Sequence, residues 1–391
     1  MAALFLVTGG MAMPLAAYGV FLPVLSEAFG WSRGAVSTAL SINLLVGGLA
    51  GFGIGALADR YGPRVMLIVT VALAGAAFAL VSMVGALWQL YIFVGLLGGV
   101  GTSSFYLLST TTIARWFRER RGLALSLVLV GFNLGYVSAG PLAAWLIAQS
   151  GWRTAYAALG AGAGLIALLG AVTVRLPRRA ESVSADRQDH ATEAASPHGL
   201  TLRQALLDSR QWYLNASWLL QGGLVFMVTV HIVPFARDQG VSLAGASLAL
   251  TAYGIGSFAG RLLSGVTSDR LGTLTTIRTA YIAMTLAMVV LVWVPSRAAM
   301  LGSMAAFGAG FAAADTMVAK VIPDVFGLRA IGAIMGVLTL GWRAGAALGP
   351  AAAGFLFDLT GSYTVAFGVA PLAVLLSWAF FSLGTSRARL I

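Results

Sequence analysis

Between residues 55 and 64 the chain reads Gly55-Ala56-Leu57-Ala58-Asp59-Arg60-Tyr61-Gly62-Pro63-Arg64, a charged turn between two long apolar runs at roughly 35–58 and 65–86. A weaker copy, Ser264-Gly265-Val266-Thr267-Ser268-Asp269-Arg270-Leu271-Gly272, lies 210 residues later, again between apolar runs at roughly 245–267 and 276–295. Other features keep the same offset: Gly30-x-Ser32 recurs as Gly240-x-Ser242, Gly122 as Gly332, and Gly151-x-x-Thr154 as Gly361-x-x-Thr364. Gly140-Pro141 answers Gly349-Pro350 at 209. One spacing shared by separate regions is the mark of an internal duplication.

Working outward, apolar runs fall at roughly 3–25, 35–58, 65–86, 88–113, 122–147 and 154–174, then at 211–233, 245–267, 276–295, 298–321, 332–354 and 364–384. The 391 residues are 59% hydrophobic and 9% charged, with a mean hydropathy of +0.89. Soluble domains run near 45–50% apolar and about 25% charged, so a water-soluble fold is excluded. A crossing takes about 20 apolar residues. The sequence therefore predicts an all-α membrane protein of twelve transmembrane helices in two six-helix, pseudo-symmetric halves. The 49 glycines suit close helix contact in lipid. The expected divisions are an N-terminal bundle over 1–174, a polar linker over 175–210 and a C-terminal bundle over 211–391. A short surface helix is expected near Thr201–Asp208. Parallel six-plus-six duplication is the layout in which a substrate site lies near mid-membrane between rocking halves.

Of the 24 Lys and Arg residues, Arg33, Arg153, Arg237 and Arg297 fall in outer loops when the chain starts inside. Arg261 and Arg343 lie within apolar runs, which leaves eighteen on the inner side. The positive-inside rule then puts both termini and the linker in the cytoplasm, and the expected location is a bacterial-type inner membrane. The net charge of +11 is read as loop anchoring, with no nucleic-acid partner. The chain enters its first run without a basic leader and continues past the length of a signal-peptide core, so no cleavable signal is expected. That abrupt start points to a short missing upstream tail. Cysteine is absent and only three histidines occur, which excludes thiol chemistry and a metal cluster. The glycine-rich stretches lack a following Gly-Lys-Ser/Thr, so no nucleotide loop is expected. Neither an enzyme nor a cofactor is expected, and transport would run on a gradient or on exchange.

The Gly55–Arg64 turn closely resembles the G-x-L-a-D-R-x-G-r-r signature of the major facilitator superfamily, and the resemblance spans essentially the whole chain. In that family the motif is a cytoplasmic gate latch. The resemblance thus implies gating roles for Asp59, Arg60 and Arg64, with Asp269 and Arg270 in the second copy. Within the superfamily the chain is similar to the monocarboxylate porter and oxalate/formate antiporter branch. Leu25-Ser26-Glu27-Ala28-Phe29-Gly30-Trp31-Ser32, His231-Ile232-Val233-Pro234-Phe235-Ala236-Arg237-Asp238 and Arg261 carry that similarity.

Ionisable side chains within apolar segments are functional candidates by default, and Arg261, Asp315 and Arg343 sit well inside theirs. Subtracting 210 gives Gly51, Phe105 and Asn133, so this charge belongs to the second half alone. Arg261 offers a planar fork that matches a carboxylate, and the family places its anion-binding arginine in the same segment; the other reading is a permanent ion pair with Asp315. Arg343 stands where the antiporter resemblance puts a second basic residue. With Asp315 ionised the intramembrane charge is +1, which suits a monoanion; with Asp315 protonated it is +2.

Asp315 and Asp238 are the candidates for proton coupling, since Ser257 replaces the acid that human-type carriers place one turn before the arginine; Asp238, at the outer mouth, reads equally as a capping or gate residue. His231 is a candidate for titration or for hydrogen bonding to a carboxylate, or else for packing at a helix end. Leu15, Tyr18, Tyr106, Phe132, Asn133 and Tyr253 complete the candidate wall, with plain packing as the alternative for each aromatic. The resemblance to the lactate-carrier branch implies Leu15, Tyr106 and Phe132 near the site.

The expected function is secondary transport of a small organic anion, a lactate- or pyruvate-like monocarboxylate moving with a proton by alternating access in a monomer. Dicarboxylate exchange is the alternative. A proton-driven efflux pump is weaker, resting on Gly131-x-x-x-Gly135-x-x-x-x-Gly140-Pro141, and a non-transporting sensor lacks any added domain.

Overall fold

A computed structural model describes residues 1–116, 121–174, 199–294, 296–327 and 329–386. The described residues are helical nearly throughout. Helices α1 (Ala2–Phe29), α2 (Arg33–Tyr61) and α3 (Pro63–Leu80) follow one another across a three-residue turn and the single residue Gly62. Helix α4 (87–116) is assembled from Leu87–Leu90, a π-helical stretch Tyr91–Leu97, Gly98–Thr102 and Phe105–Trp116. The helical stretch Arg121–Thr173 turns at Gly151, whose φ of 76° and ψ of 164° are not helical, and so supplies two crossings, α5 (121–150) and α6 (152–173). Then come α7 (Ser209–Asp238), α8 (Leu243–Leu271), α9 (Thr273–Trp293), α10 (Arg297–Phe326), α11 (Ile331–Thr360) and α12 (364–385). Eleven described helices are long and apolar enough to cross a membrane, and the turn at Gly151 divides one of them to give twelve.

The duplication is visible in the backbone. Ser32 caps α2 by accepting from the Ala35 amide, and Ser242 caps α8 from Gly245. Gly62 and Gly272, at the Asp-Arg turns, both adopt positive φ, 89° and 85°, with ψ of 143° and 153°. That region of backbone space is open essentially to glycine alone, so the pair fixes the turn geometry in both copies. Gly151 and Gly361 likewise share positive φ.

The face carrying the Asp59-Arg60 and Asp269-Arg270 turns is called the motif face here, and the face carrying the Gly30 and Gly240 turns the far face. Residues 175–198 of the linker, with Arg175 to Glu193, lie outside the described residues. Beyond them a helix Leu202–Leu207 forms, capped by a reciprocal Thr201–Gln204 pair, close to the expected Thr201–Asp208. The Leu200 amide donates to the Phe326 carbonyl at 2.8 Å, which ties this stretch to the end of α10.

Glycine sets the closest helix contacts. A Cβ on Gly256 or Gly260 would overlap the backbone of Ala305 or Ala309, and one on Gly345 the Leu219 carbonyl. Such contacts bring α8 onto α10 and α7 onto α11 within the second half. Between the halves, a Cβ on Gly140 would overlap Ser247, and one on Gly19 would meet the Val230 carbonyl at 2.7 Å.

Candidate functional site

Arg261 and Asp315 meet between α8 and α10, with Arg261 Nη2 donating to Asp315 Oδ2 at 3.1 Å. Both residues lie about ten residues, or roughly 15 Å at 1.5 Å per residue, from the motif-face ends of their helices. Their side chains nevertheless remain 25% and 34% exposed. The pairing uses one arm of the fork. Arg261 Nε is buried and has no acceptor, so the guanidinium retains hydrogen-bonding capacity that the protein itself does not meet.

Arg343 stands at a similar depth on α11. Its stem lies along Gly48 of α2, where an added Cβ would come 3.1 Å from Arg343 Cδ, and its Nη1 reaches toward Gly47. It has no hydrogen bond or ion pair with a described residue, and Asp315 is taken by Arg261. Tyr106 of α4 is 45% exposed, and its hydroxyl lies within electrostatic reach of both Asp315 and Arg261. An arginine, an acid and a tyrosine from three helices thus come together deep in the molecule, each of them part-exposed.

An aromatic row borders them. Phe105 stacks with Phe132 at 6.3 Å, Phe132 meets Tyr136 at 5.1 Å, Tyr136 meets Tyr253 at 5.9 Å and Tyr253 meets Phe307 at 6.1 Å. The row crosses from α4 and α5 to α8 and α10. Leu15, Asn133 and Tyr253 are buried, at 9%, 6% and 5% exposure. The structure therefore brings Arg261, Asp315, Tyr106, Phe132 and Tyr253 into one neighbourhood, with Asn133 at the same depth on α5.

His231 and Asp238 lie elsewhere. Both belong to a seam that shuts the far face. Asp238 takes both arms of Arg33, Nη1 to Oδ2 at 2.6 Å and Nη2 to Oδ1 at 2.7 Å. Asp358 accepts from the backbone amides of Arg33 at 3.0 Å and Gly34 at 2.9 Å, so an acid of α11 caps the start of α2. Arg237 approaches Glu27 at 3.5 Å, and the Ala351 amide donates to Ser41.

His231 is fully buried. Its Nε2 lies 2.8 Å from the Pro350 carbonyl and its Nδ1 2.9 Å from the Tyr363 hydroxyl. A carbonyl only accepts, so Nε2 carries the proton, and a neutral ring then accepts from Tyr363 at Nδ1. Ser37 already donates to the Arg33 carbonyl, which leaves its oxygen to accept from Nε2 at 3.3 Å.

Every hydrogen bond and ion pair joining the halves between described residues lies on the far-face side of Arg261. Toward the motif face no such bond joins described side chains. There Asp59, Arg60, Arg64, Asp269 and Arg270 are all exposed. Arg60 stacks over Tyr61, and Lys320 reaches Ser268 at 3.1 Å and Asp269 at 4.0 Å.

Sequence reasoning passed over Arg33, Asp358, Tyr363, Tyr136 and Phe307. A usable signal existed for Asp358 and Asp238. Both acids sit in the last turn of a helix, where the dipole disfavours negative charge, so each needs a cationic or amide partner.

The Major Facilitator Superfamily profile matches residues 4–238 and 222–389. Monocarboxylate transporter 11 of Mus musculus is 29% identical over 405 residues, covering 99% of this chain and 87% of that protein. The oxalate:formate antiporter of Oxalobacter formigenes is 27% identical over 253 residues, covering 63% of this chain and 57% of its own length. Among solved structures, a bacterial homologue of the human lysosomal transporter Spinster superposes with a TM-score of 0.75 at 17% identity, over 99% of this chain and 96% of that one. The D-xylose-proton symporter superposes at 0.74 and 16% identity, over 99% and 98% of the two chains. With one family covering nearly the whole sequence and the fold matching its transporters, the chain belongs to the Major Facilitator Superfamily and is a multi-pass membrane transporter, not an enzyme.

Proposed function

We propose that this transporter carries a small organic anion, a monocarboxylate of the lactate or pyruvate class, together with a proton. The observation that supports it is the Arg261–Asp315 pair: a guanidinium a quarter exposed, held at one arm by an acid. An arriving carboxylate takes the Arg261 fork in two parallel hydrogen bonds. Asp315, left without its counter-ion, then takes a proton. One anion recruits one proton, so loading leaves the net charge of the site unchanged. Tyr106 supplies a nearby hydroxyl, and the aromatic row from Phe105 to Phe307 forms the wall.

The names of the relatives point to the same chemistry, since both a monocarboxylate transporter and an oxalate:formate antiporter are similar to this chain. The motif face is assigned to the cytoplasm by the arginine distribution, which makes the described state the one open to the cytoplasm. On this reading residues 1–174 and 211–391 rock about the site as two bundles joined by the linker, in a monomer in the cytoplasmic membrane. Asp59, Arg60 and Arg64, with Asp269 and Arg270, latch the motif face in the opposite state.

A second reading, exchange of a dicarboxylate, is favoured by Arg343, whose guanidinium has no acidic partner among the described residues. Uptake of labelled lactate, pyruvate and oxalate into proteoliposomes, with and without an imposed pH gradient, separates the two. Acceleration of lactate or pyruvate by an inward proton gradient is expected. Oxalate uptake that depends on internal oxalate or formate and ignores the gradient overturns symport.

A further inference from the structure

Three acids of the far face occupy the last turns of their helices: Glu27 on α1, Asp238 on α7 and Asp358 on α11. None is stabilised by its own helix, because the C-terminal end of a helix dipole is negative. Two of them, Asp238 and Asp358, converge on one residue of the other half. Arg33 gives both guanidinium arms to Asp238 and its backbone amide to Asp358, whose second oxygen takes the Gly34 amide. The guanidinium also lies 3.9 Å from the Phe357 ring centroid. Arg33 is thus held in a double carboxylate-binding geometry in which both carboxylates belong to the protein.

Alternating access requires this seam to part. Asp238, Asp358 and Phe357 all sit on the second half and leave together. Arg33 and the first amides of α2 stay on the first half, at the mouth of the opened far face. By sequence, the far-face ends of the first half then carry Arg33, Arg153 and one acid, Glu27, while those of the second half carry Arg237, Arg297, Asp238 and Asp358. The first half's mouth is net basic, and its fork has lost the groups that satisfied it.

We propose that Arg33 is a second carboxylate-binding residue of the transport cycle: it holds Asp238 when the far face is shut and captures the incoming carboxylate when that face is open. The proposal rests on the anion-carrier reading. It makes the substrate a competitor of the protein's own seam, so carboxylate on the far side holds the gate open and is passed from the mouth to the deeper site. Arg33 is separate from Arg261, which lies about eighteen residues, or roughly 27 Å at 1.5 Å per residue, from the far-face end of α8. The two arginines mark the entrance and the interior.

The chain has no cysteine, so Ser247→Cys gives a single labelling site. Ser247 is fully buried in the described state, lies against Gly140 across the α5–α8 contact, and bonds only to Ala244 of its own helix. Its modification therefore reports seam opening. The measurement is the maleimide labelling rate in nanodiscs, with sodium lactate against sodium chloride at equal ionic strength and pH. The background is Arg261→Gln with Asp315→Asn, which removes the interior site, so the result does not depend on Arg261 being the substrate ligand.

Lactate is expected to raise the rate severalfold and saturably in this background. Adding Arg33→Gln should raise the lactate-free rate, because the lock is lost, and abolish the lactate increment. Arg33→Lys should keep a reduced increment, since an ammonium holds a carboxylate without the fork. No lactate effect in the parent background, an equal increment in Arg33→Gln, or an unchanged lactate-free rate in Arg33→Gln each overturns the proposal. Failure of the anion-carrier reading shows separately, as the absence of saturable lactate, pyruvate or oxalate uptake by the wild-type protein in proteoliposomes.

Discussion

Asp315→Asn isolates the step in which anion binding recruits a proton. In the resting site, Arg261 Nη2 is held by Asp315 Oδ2 at 3.1 Å. A substrate carboxylate that takes the fork must displace that contact. A hydrogen bond to a charged group contributes about 1.5–3 kcal/mol net, and every 1.4 kcal/mol is about a factor of ten. Since both side chains are a quarter to a third exposed, water screens the pair and the lower end applies. Removing the competing charge should therefore tighten substrate binding about tenfold.

The same change removes the proton acceptor. In the wild type, binding takes up a proton, so affinity should fall as pH rises; in Asp315→Asn it should be flat with pH. Counterflow should persist in the variant, because exchange needs no net proton movement, while accumulation driven by a pH gradient should vanish. The assay is lactate counterflow beside pH-driven uptake in the same proteoliposome preparation, with binding titrated at an acid and an alkaline pH. Wild-type accumulation by Asp315→Asn refutes the reasoning and moves suspicion to Asp238 and His231.

Arg261→Ala should abolish carboxylate binding with the fold intact, and Arg261→Lys should rescue poorly because a point ammonium cannot replace the fork; uptake kinetics beside size-exclusion profiles check both. Asp59→Asn should shift the carrier further toward the state open at the motif face, read as faster labelling of a cysteine placed at position 106. Gly140→Val should wedge the α5–α8 contact and hold the far face open, so Ser247→Cys labels readily while net transport is lost. Gly256→Ala acts within one half, where the new Cβ meets Ala305; overpacking costs about 1–3 kcal/mol, seen as a lower Tm in detergent without a change in which face labels.

The crossings and their duplication were legible because lipid leaves the backbone few options. A run of some twenty apolar residues must satisfy its own hydrogen bonds and does so as a helix. Gly62 and Gly272 mark equivalent turns because only glycine takes their backbone angles. The Arg261–Asp315 contact was readable as one of two alternatives, since buried charge needs a partner and both residues lie equally far from their helix ends. Sequence reasoning left open whether Asp315 would face Arg261 or Arg343, because that depends on which faces of α8, α10 and α11 turn inward. His231 was a candidate for the substrate wall or for interfacial packing, and Asp238 for proton coupling or for a cap or gate; that both join the far-face seam depends on contacts between residues more than a hundred positions apart. The break in α4 at Ser103–Ser104 and its π-helical stretch left no obvious trace, because Gly98-Gly99-Val100-Gly101 reads as helix-packing sequence as readily as a discontinuity.

The energetics of the two kinds of contact bear on how such a molecule cycles. Within the second half, Ser217, Tyr281, Ser377 and Gln221 form a polar cluster with no more than 2% exposure, Gln221 donating to the Tyr281 hydroxyl and Ser377 to the Ser217 carbonyl at 3.0 Å. Pulling α7, α9 and α12 apart would strand those groups in hydrocarbon, at about 1–3 kcal/mol for each one left unpaired. The seam between the halves is built differently. Arg33 and Asp238 are 17% and 38% exposed, and Arg237 and Glu27 38% and 66%, so water is at hand to replace each partner as they separate. An exposed pair such as Arg237–Glu27 contributes about 0–1 kcal/mol; the bidentate Arg33–Asp238 pair is stronger, but water still reaches it. His231 is the exception, fully buried and bonded on both ring nitrogens, but it too lies on the parting surface, where opening admits water to Pro350 and Tyr363. A carrier must keep its two states within a few kcal/mol, or one of them is never visited. Contacts that water can replace lie between the halves and contacts that it cannot replace lie within them, so the seam is where the molecule yields.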